Sequence, residues 1–243
     1  MAWSFSSLSS EADAHGAAHP MMAWIQGGAS SFSGDVDFLI LLIALIVGFW
    51  FVLAELALFY FIVRFRRRDG MAAAYITGER RQEKRWITIP HLLIIVCDVV
   101  ILAFSFQVWS AIKQDLPPAE ANIRVIGYQW AWRFMHPGAD GQLSTADDVE
   151  TIDELRLQVN TLYHFHLEAA DVLHSFSIPA FRLKQDAVPG RVITGWFKPT
   201  KTGTFDIQCA EICGIGHGIM GAKLIVESAA DHQRWLEQRT AQR

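Results

Sequence analysis

Two long apolar stretches decide what this chain can become. Residues 38–63 read FLILLIALIVGFWFVLAELALFYFIV, with Glu55 as the only charge, and residues 86–112 carry only Asp98. A spanning helix needs about 20 apolar residues, so both stretches are long enough to cross a bilayer. The first starts too late, runs too long and lacks the basic leading region of a signal peptide. Lysine and arginine set the orientation. Residues 1–37 contain neither, whereas the short loop 64–85 holds Arg64, Arg66, Arg67, Arg68, Arg80, Arg81, Lys84 and Arg85. Basic short loops stay on the cytoplasmic side. The sequence therefore predicts a two-span integral protein of a bacterial inner membrane, with both termini and everything beyond residue 114 on the periplasmic side.

The organisation follows from this. Residues 1–37 form an extramembrane leader, with little structure expected through residue 34. Residues 38–113 form a transmembrane helical hairpin with a basic cytoplasmic loop, and residues 114–243 form an exported domain. Pro117-Pro118 marks the exit from the membrane, and short β-rich segments follow. Residues 123–134 are rich in β-branched and aromatic side chains, and residues 155–167 alternate apolar and polar. Further strands are expected in 191–197, 204–208 and 222–226. Short strands between Gly, Pro and Asp breaks indicate an all-β sandwich or barrel. Residues 229–242 read as a closing helix, with Ser228 as its N-cap and Asp231 three residues on. The fold class is thus membrane-anchored all-β. The formal net charge of −4 disfavours nucleic acid as a partner. The polar segment 137–148 does not have the spacing of an EF-hand and reads as a solvated hairpin tip.

The chemistry lies between two of these strands. Cys209, Cys213, His217 and Met220 fall within twelve residues, in a glycine-bearing loop. Such a loop on a rigid β-frame is where a functional site is built. Thiolate and thioether together select copper over hard metals. A disulfide accounts for the two cysteines but not for His217 and Met220. A zinc site has no use for Met220, and a blue single-copper site uses one cysteine. The second cysteine therefore points to a binuclear copper site. A further histidine is required from another strand. His174 is the best candidate, and His164 and His166, at period two on one strand face, compete with it.

These segments resemble subunit II of the haem–copper cytochrome c oxidases, from the first transmembrane helix to the end of the chain. The run Cys209 to Met220 is similar to the family's CuA loop with no ligand missing. Asp171-Val172-Leu173-His174-Ser175 resembles the histidine segment. Lys184-Gln185-Asp186-Ala187-Val188-Pro189-Gly190-Arg191 resembles the stretch at the catalytic-subunit interface, and Gly127-Tyr128-Gln129-Trp130-Ala131-Trp132 the aromatic run near the copper site. The resemblance implies a cupredoxin-like domain in which Cys209 and Cys213 bridge two coppers while His174 and His217 bind one each. It further implies Met220 and the Glu211 carbonyl as weak ligands, magnesium at the Glu211 side chain on the interface with catalytic subunit I, and Trp130 as the point where electrons arrive. The donor would be cytochrome c or a similar external protein. Electrons would pass to haem in the catalytic subunit, where oxygen is reduced to water with coupled proton translocation. No Cys-x-x-Cys-His occurs, so no c-type haem is fused to the chain. The rivals are a quinol-oxidising relative, disfavoured by the complete ligand set, a CuA subunit of a nitric oxide reductase, and a copper carrier.

Three acidic features remain. Glu55 and Asp98 are costly in lipid and are expected to face protein or water. Glu83, three residues before Trp86, matches a family glutamate at the cytoplasmic mouth of a proton-uptake channel, against the plainer reading of a surface acid in a basic loop. The acids between 140 and 154 could steer a basic cytochrome c.

Overall fold

The computed structural model describes residues 27–72, 75–138 and 140–242. Two helices form an antiparallel pair: α1, Ser33–Arg64, and α2, Arg81–Trp109, which runs into a π-helical turn at Ser110–Gln114. Both are long and apolar enough to cross a membrane, and none of their most apolar window is buried within the chain. A helix keeps its backbone hydrogen bonds inside the segment, which is what hydrocarbon surroundings demand. α1 starts five residues before the apolar stretch because the turn at Phe32 and Ser33 already supports it, with Ser33 Oγ donating to the Ser30 carbonyl at 2.7 Å.

Among the described residues ten strands follow: β1 Ala121–Tyr128, β2 Ala131–His136, β3 Val149–Ile152, β4 Glu154–Gln158, β5 Tyr163–Ala169, β6 His174–Ile178, β7 Leu183–Ala187, β8 Ile193–Phe197, β9 Gly203–Cys209 and β10 Gly221–Glu227. Helix α3, Ala229–Ala241, closes the chain, and Ser228 caps it by accepting from the Asp231 backbone N–H at 3.2 Å. The strands form two five-stranded sheets, ordered β3-β2-β1-β5-β8 and β4-β10-β9-β6-β7. β1 and β5 are parallel, as are β4 and β10, and the other pairings are antiparallel.

Period-two alternation builds the core, since every second side chain of a strand points inward. Ile123, Val125, Phe134, Leu155, Leu157, Phe165, Leu167, Phe176, Ile178 and Phe197 are all fully buried. Phe165 stacks on Phe197 at 5.6 Å and lies 6.0 Å from Phe176 of the facing sheet.

Two expected strands each divide. Residues 123–134 become β1 and β2, because the aromatic run conceals a turn at Gln129 and Trp130. Residues 155–167 become β4 and β5, in different sheets, broken at Asn160, whose φ of +62° suits asparagine's tolerance of the left-handed region. β3, β6 and β7 are additional.

The leader also differs from its expectation. Residues 27–32 pack onto the sandwich: the Ala29 N–H donates to the Ala180 carbonyl, Ser31 to Lys198, and Thr200 back to Ala29. Ala29 and Phe32 join the core, and Phe32 meets Trp196 edge-on at 5.3 Å. Burial of these two apolar side chains outweighs the polar composition around them. The rest of the leader, residues 1–26, lies outside the described residues. Arg182, with its side chain 4% exposed, joins Asp37 of α1 at 2.6 Å, so the first helix is tied to the sandwich by strand-like contacts and by an ion pair.

Candidate metal centre

One end of the sandwich gathers the chemistry. His174 opens β6, Cys209 closes β9, and Met220 precedes β10, so the loop 210–220 spans two neighbouring strands. Register fixes the approach: Phe176 of β6 pairs with Cys209, the Ala210 N–H donates to the Ser175 carbonyl at 2.9 Å, and the Cys209 N–H to the Met220 carbonyl at 3.0 Å. The left-handed φ of +123° at Gly214 turns the loop back on itself.

The donor atoms converge. Cys209 Sγ and Cys213 Sγ are 3.7 Å apart, Cys209 Sγ is 4.0 Å from His174 Nδ1, and Cys213 Sγ is 3.7 Å from both His217 Nδ1 and Met220 Sδ. The Glu211 carbonyl oxygen lies 3.2 Å from Cys209 Sγ. The His174, Cys209 and Cys213 ligand atoms all fall within 4.8 Å of one another. His174, Cys209, Cys213 and Met220 are buried, whereas His217 and Glu211 are half-buried. The two thiols are free. Burial and the hydrogen bond shared with Cys209 push the Cys213 thiol up to about 11. A metal must therefore displace protons to bind, and uptake strengthens as pH rises.

Apart from Trp130, the supporting groups escaped the sequence reading as actors. Asp171 accepts from His174 Nε2–H at 2.8 Å, which leaves Nδ1 as the free donor. Burial works against the Asp171 charge, but the His174 hydrogen bond and the backbone N–H groups of Gln129 and Val172 outweigh it and hold the carboxyl below its ordinary value. A carboxylate on the far nitrogen of a ligating histidine is the usual way its ring is oriented; the legible signal was an acid three residues before His174. From the facing sheet, Gln129 Nε2 donates to the Cys213 carbonyl at 2.8 Å and Trp130 Nε1 to the same oxygen at 3.3 Å. Trp132, fully buried, packs edge-on to His174. Gly127 leaves room for both rings, because a Cβ there would stand 3.0 Å from Trp132 and 3.2 Å from His174.

Of the residues singled out in sequence, His174, Cys209, Glu211, Cys213, His217, Met220 and Trp130 come together. His164 and His166 do not: His164 Nε2 pairs with the Pro117 carbonyl, and His166 with Asn122 and Thr194. Glu83 is remote, at the start of α2, where its carboxylate accepts from the Gly78 and Arg80 N–H groups at 3.0 and 3.4 Å. Of the acids between 140 and 154, Asp140, Asp147 and Asp148 lie in the loop that leaves the end of β2, whereas β3 runs back along β2 and brings Asp153 to Trp132, whose backbone N–H it accepts at 2.8 Å.

Comparison with known proteins gives this sandwich a family. Residues 121–229 match the family model described as cytochrome C oxidase subunit II, periplasmic domain. The "Alternative cytochrome c oxidase subunit 2" of Bradyrhizobium diazoefficiens is 34% identical over 227 residues, covering 84% of this chain and 80% of that one. The chain belongs to the cytochrome c oxidase subunit II family. The cytochrome c oxidase subunit 2 of Thermostichus vulcanus is 42% identical over 241 residues, covering 79% of this chain and 71% of that one. That of Cereibacter sphaeroides is 31% identical, covering 88% and 78%. The chain is accordingly a copper-binding membrane subunit of an oxidoreductase, cytochrome c oxidase, and its matched region is the family's periplasmic domain.

Proposed function

We propose that this subunit II carries a binuclear CuA centre, takes electrons one at a time from cytochrome c or a similar external donor, and passes them to haem in catalytic subunit I. The observation that carries this reading is the convergence of two thiols, two imidazoles and a thioether at one end of the sandwich. Sulfurs 3.7 Å apart are close enough for both thiolates to hold the same ion at the ordinary metal–thiolate distance of about 2.3 Å. Cys209 and Cys213 would bridge, His174 and His217 would each hold one copper, and Met220 and the Glu211 carbonyl would be the weak ligands. Bound there, the copper pair supplies a redox site that shares one electron between two metals.

The chain's own residues make that site usable. The two sheets hold the ligands in place, so little needs to move when the charge changes. Asp171 orients His174. Trp130, 37% exposed, touches the ligand loop from outside and is the surface point where a donor's electron would arrive. The half-exposed Glu211 carboxylate is a suitable hard ligand for magnesium at the interface with the catalytic subunit. The basic loop keeps 64–85 cytoplasmic, placing both termini and the 114–243 domain on the periplasmic side of the inner membrane.

Glu83 would assist proton uptake, although its carboxylate also caps α2. Glu83→Gln separates the roles, because glutamine still accepts the two N–H bonds but cannot carry a proton. Slower reduction of the catalytic haem supports uptake, and unchanged turnover removes it. The main reading is tested by mixing the intact oxidase with reduced cytochrome c under rapid flow. The copper absorbance should change before the haem, and this early phase should vanish in Cys213→Ser. A haem signal that leads the copper signal would overturn it.

A further inference from the structure

Helix α2 carries a polar stripe that the hairpin leaves uncovered. Lys84, His91, Asp98 and Ser105 recur every seven residues, and seven residues return a helix to within about 20° of the same direction. They line one face for about 30 Å. The side that α2 turns to α1 is a different one. Pro90, Cys97, Ile101 and Val108 are its half-buried positions, and Phe104 meets Phe38 of α1 edge-on at 5.5 Å. That row lies about 100° around the helix from Asp98. Lys84, His91 and Asp98 are exposed, and Ser105 is half-buried at the margin. Among the described residues neither His91 nor Asp98 has a hydrogen bond or ion pair.

Depth excludes water and lipid headgroups as the answer. The span runs from Arg81 to Gln114, which puts Asp98 about 25 Å from either end along the helix. A hydrocarbon core is about 30 Å thick, and an aspartate side chain is too short to reach the headgroups from its middle. Ionisable groups so placed face protein partners or water-filled cavities lined by protein. The opposite side of α2 is apolar between Gln82 and Gln107, with Ile89, Leu93, Val96 and Val100 all exposed, and suits lipid.

We propose that the His91–Asp98–Ser105 face of α2 is the intramembrane docking surface for the catalytic subunit, received by a transmembrane helix that presents a cationic, amide or hydroxyl donor level with Asp98. The proposal rests on the reading that this chain assembles with a separate catalytic subunit, and it names the face and the chemistry. One polar face on an otherwise lipid-compatible helix fixes both the rotation and the depth at which α2 can sit.

The test uses the full-length tagged subunit expressed with the rest of the oxidase and extracted in mild detergent, reading co-purified haem per copper. In the Asp98→Leu, His91→Leu double variant this ratio should fall by about tenfold or more, with a smaller fall in Asp98→Asn and none in Val96→Phe. The copper spectrum should persist in all three, which keeps loss of docking distinct from loss of the metal site. An unchanged haem-to-copper ratio in the double variant overturns the proposal. Should that variant fail to accumulate, a photo-crosslinking residue replacing Ser105 should capture the catalytic subunit and one replacing Val96 only lipid. Capture from Val96 alone, or capture of a second copy of this chain from Ser105, overturns it.

Discussion

The ligand loop and the membrane hairpin both hold polar groups away from water, and they satisfy them in opposite ways. Around Cys209 and Cys213 the donors face one another, and their supports are internal: Asp171 on His174, Gln129 and Trp130 on the Cys213 carbonyl, Asp186 on the Ser175 hydroxyl. On α2, His91 and Asp98 face outward and have no hydrogen bond or ion pair among the described residues. The candidate metal site thus draws its supports from its own domain, whereas the hairpin, on the proposal above, is one side of an interface. Ordered links between them, residues 27–32 on the sandwich, Asp37 on Arg182 and Lys113 on Lys184 and Gln185 of β7, fix the loop's position relative to the helices. A site that passes electrons onward needs that fixed position.

The comparison breaks most sharply at the bridging cysteines. Cys213→Ser should remove the copper pair and bring electron transfer down to the level of copper-free protein while leaving assembly intact, as read from haem recovery and rapid-flow kinetics. Loss of assembly as well would mean that the ligand loop is not self-contained. Next in size is the support of His174. Asp171→Ala should weaken copper binding by about 10- to 100-fold, measured by chelator competition, with Asp171→Asn weaker in effect because it still accepts the Nε2–H bond. Equal binding in all three would show that the aspartate does not orient the ring.

A smaller effect should follow at the contact between loop and surface. A Cβ on Gly216 would lie 2.5 Å from the Trp130 ring, so Gly216→Ala must shift the tryptophan. Electron uptake from the donor should slow on the order of tenfold, with the copper spectrum retained. A changed spectrum with unchanged uptake would move the role from Trp130 to the ligands.

The smallest effect concerns the far end of the sandwich. Burial, with the nearby charges of His232 and Arg156, pushes His136 down from 6.5 to about 3. Between those values the unfolded chain binds a proton that the folded chain refuses. Stability from this residue is full above pH 6.5 and falls as pH drops towards 3, by up to about 1.4 kcal/mol per pH unit. Urea titration of the copper-free protein across that range should show the slope, and His136→Phe should flatten it.

The sequence made some of this legible and hid the rest for physical reasons. Apolar runs longer than any soluble helix requires disclosed α1 and α2, and the capping serine disclosed α3. The ligands were legible because sulfur and imidazole donors crowd a short loop. What stayed hidden depends on contacts far apart in sequence. β6 and β7 lack clean alternation because residues on both faces of β6 are buried. Asn160 breaks a pattern that otherwise runs on, and Gln129 reaches the Cys213 carbonyl across 84 residues. The docking of residues 27–32 could not be read from a polar leader, since it depends on a groove made by β8 and the Pro179–Phe181 turn.

On the proposed function, the loop of Cys209 and Cys213 holds two coppers that share one electron. Copper analysis and electron paramagnetic resonance on the intact, oxidised, detergent-purified subunit test it directly. Two copper ions per chain are expected, with hyperfine structure from both nuclei equally coupled to a single unpaired spin. One copper per chain with hyperfine structure from a single nucleus would contradict it.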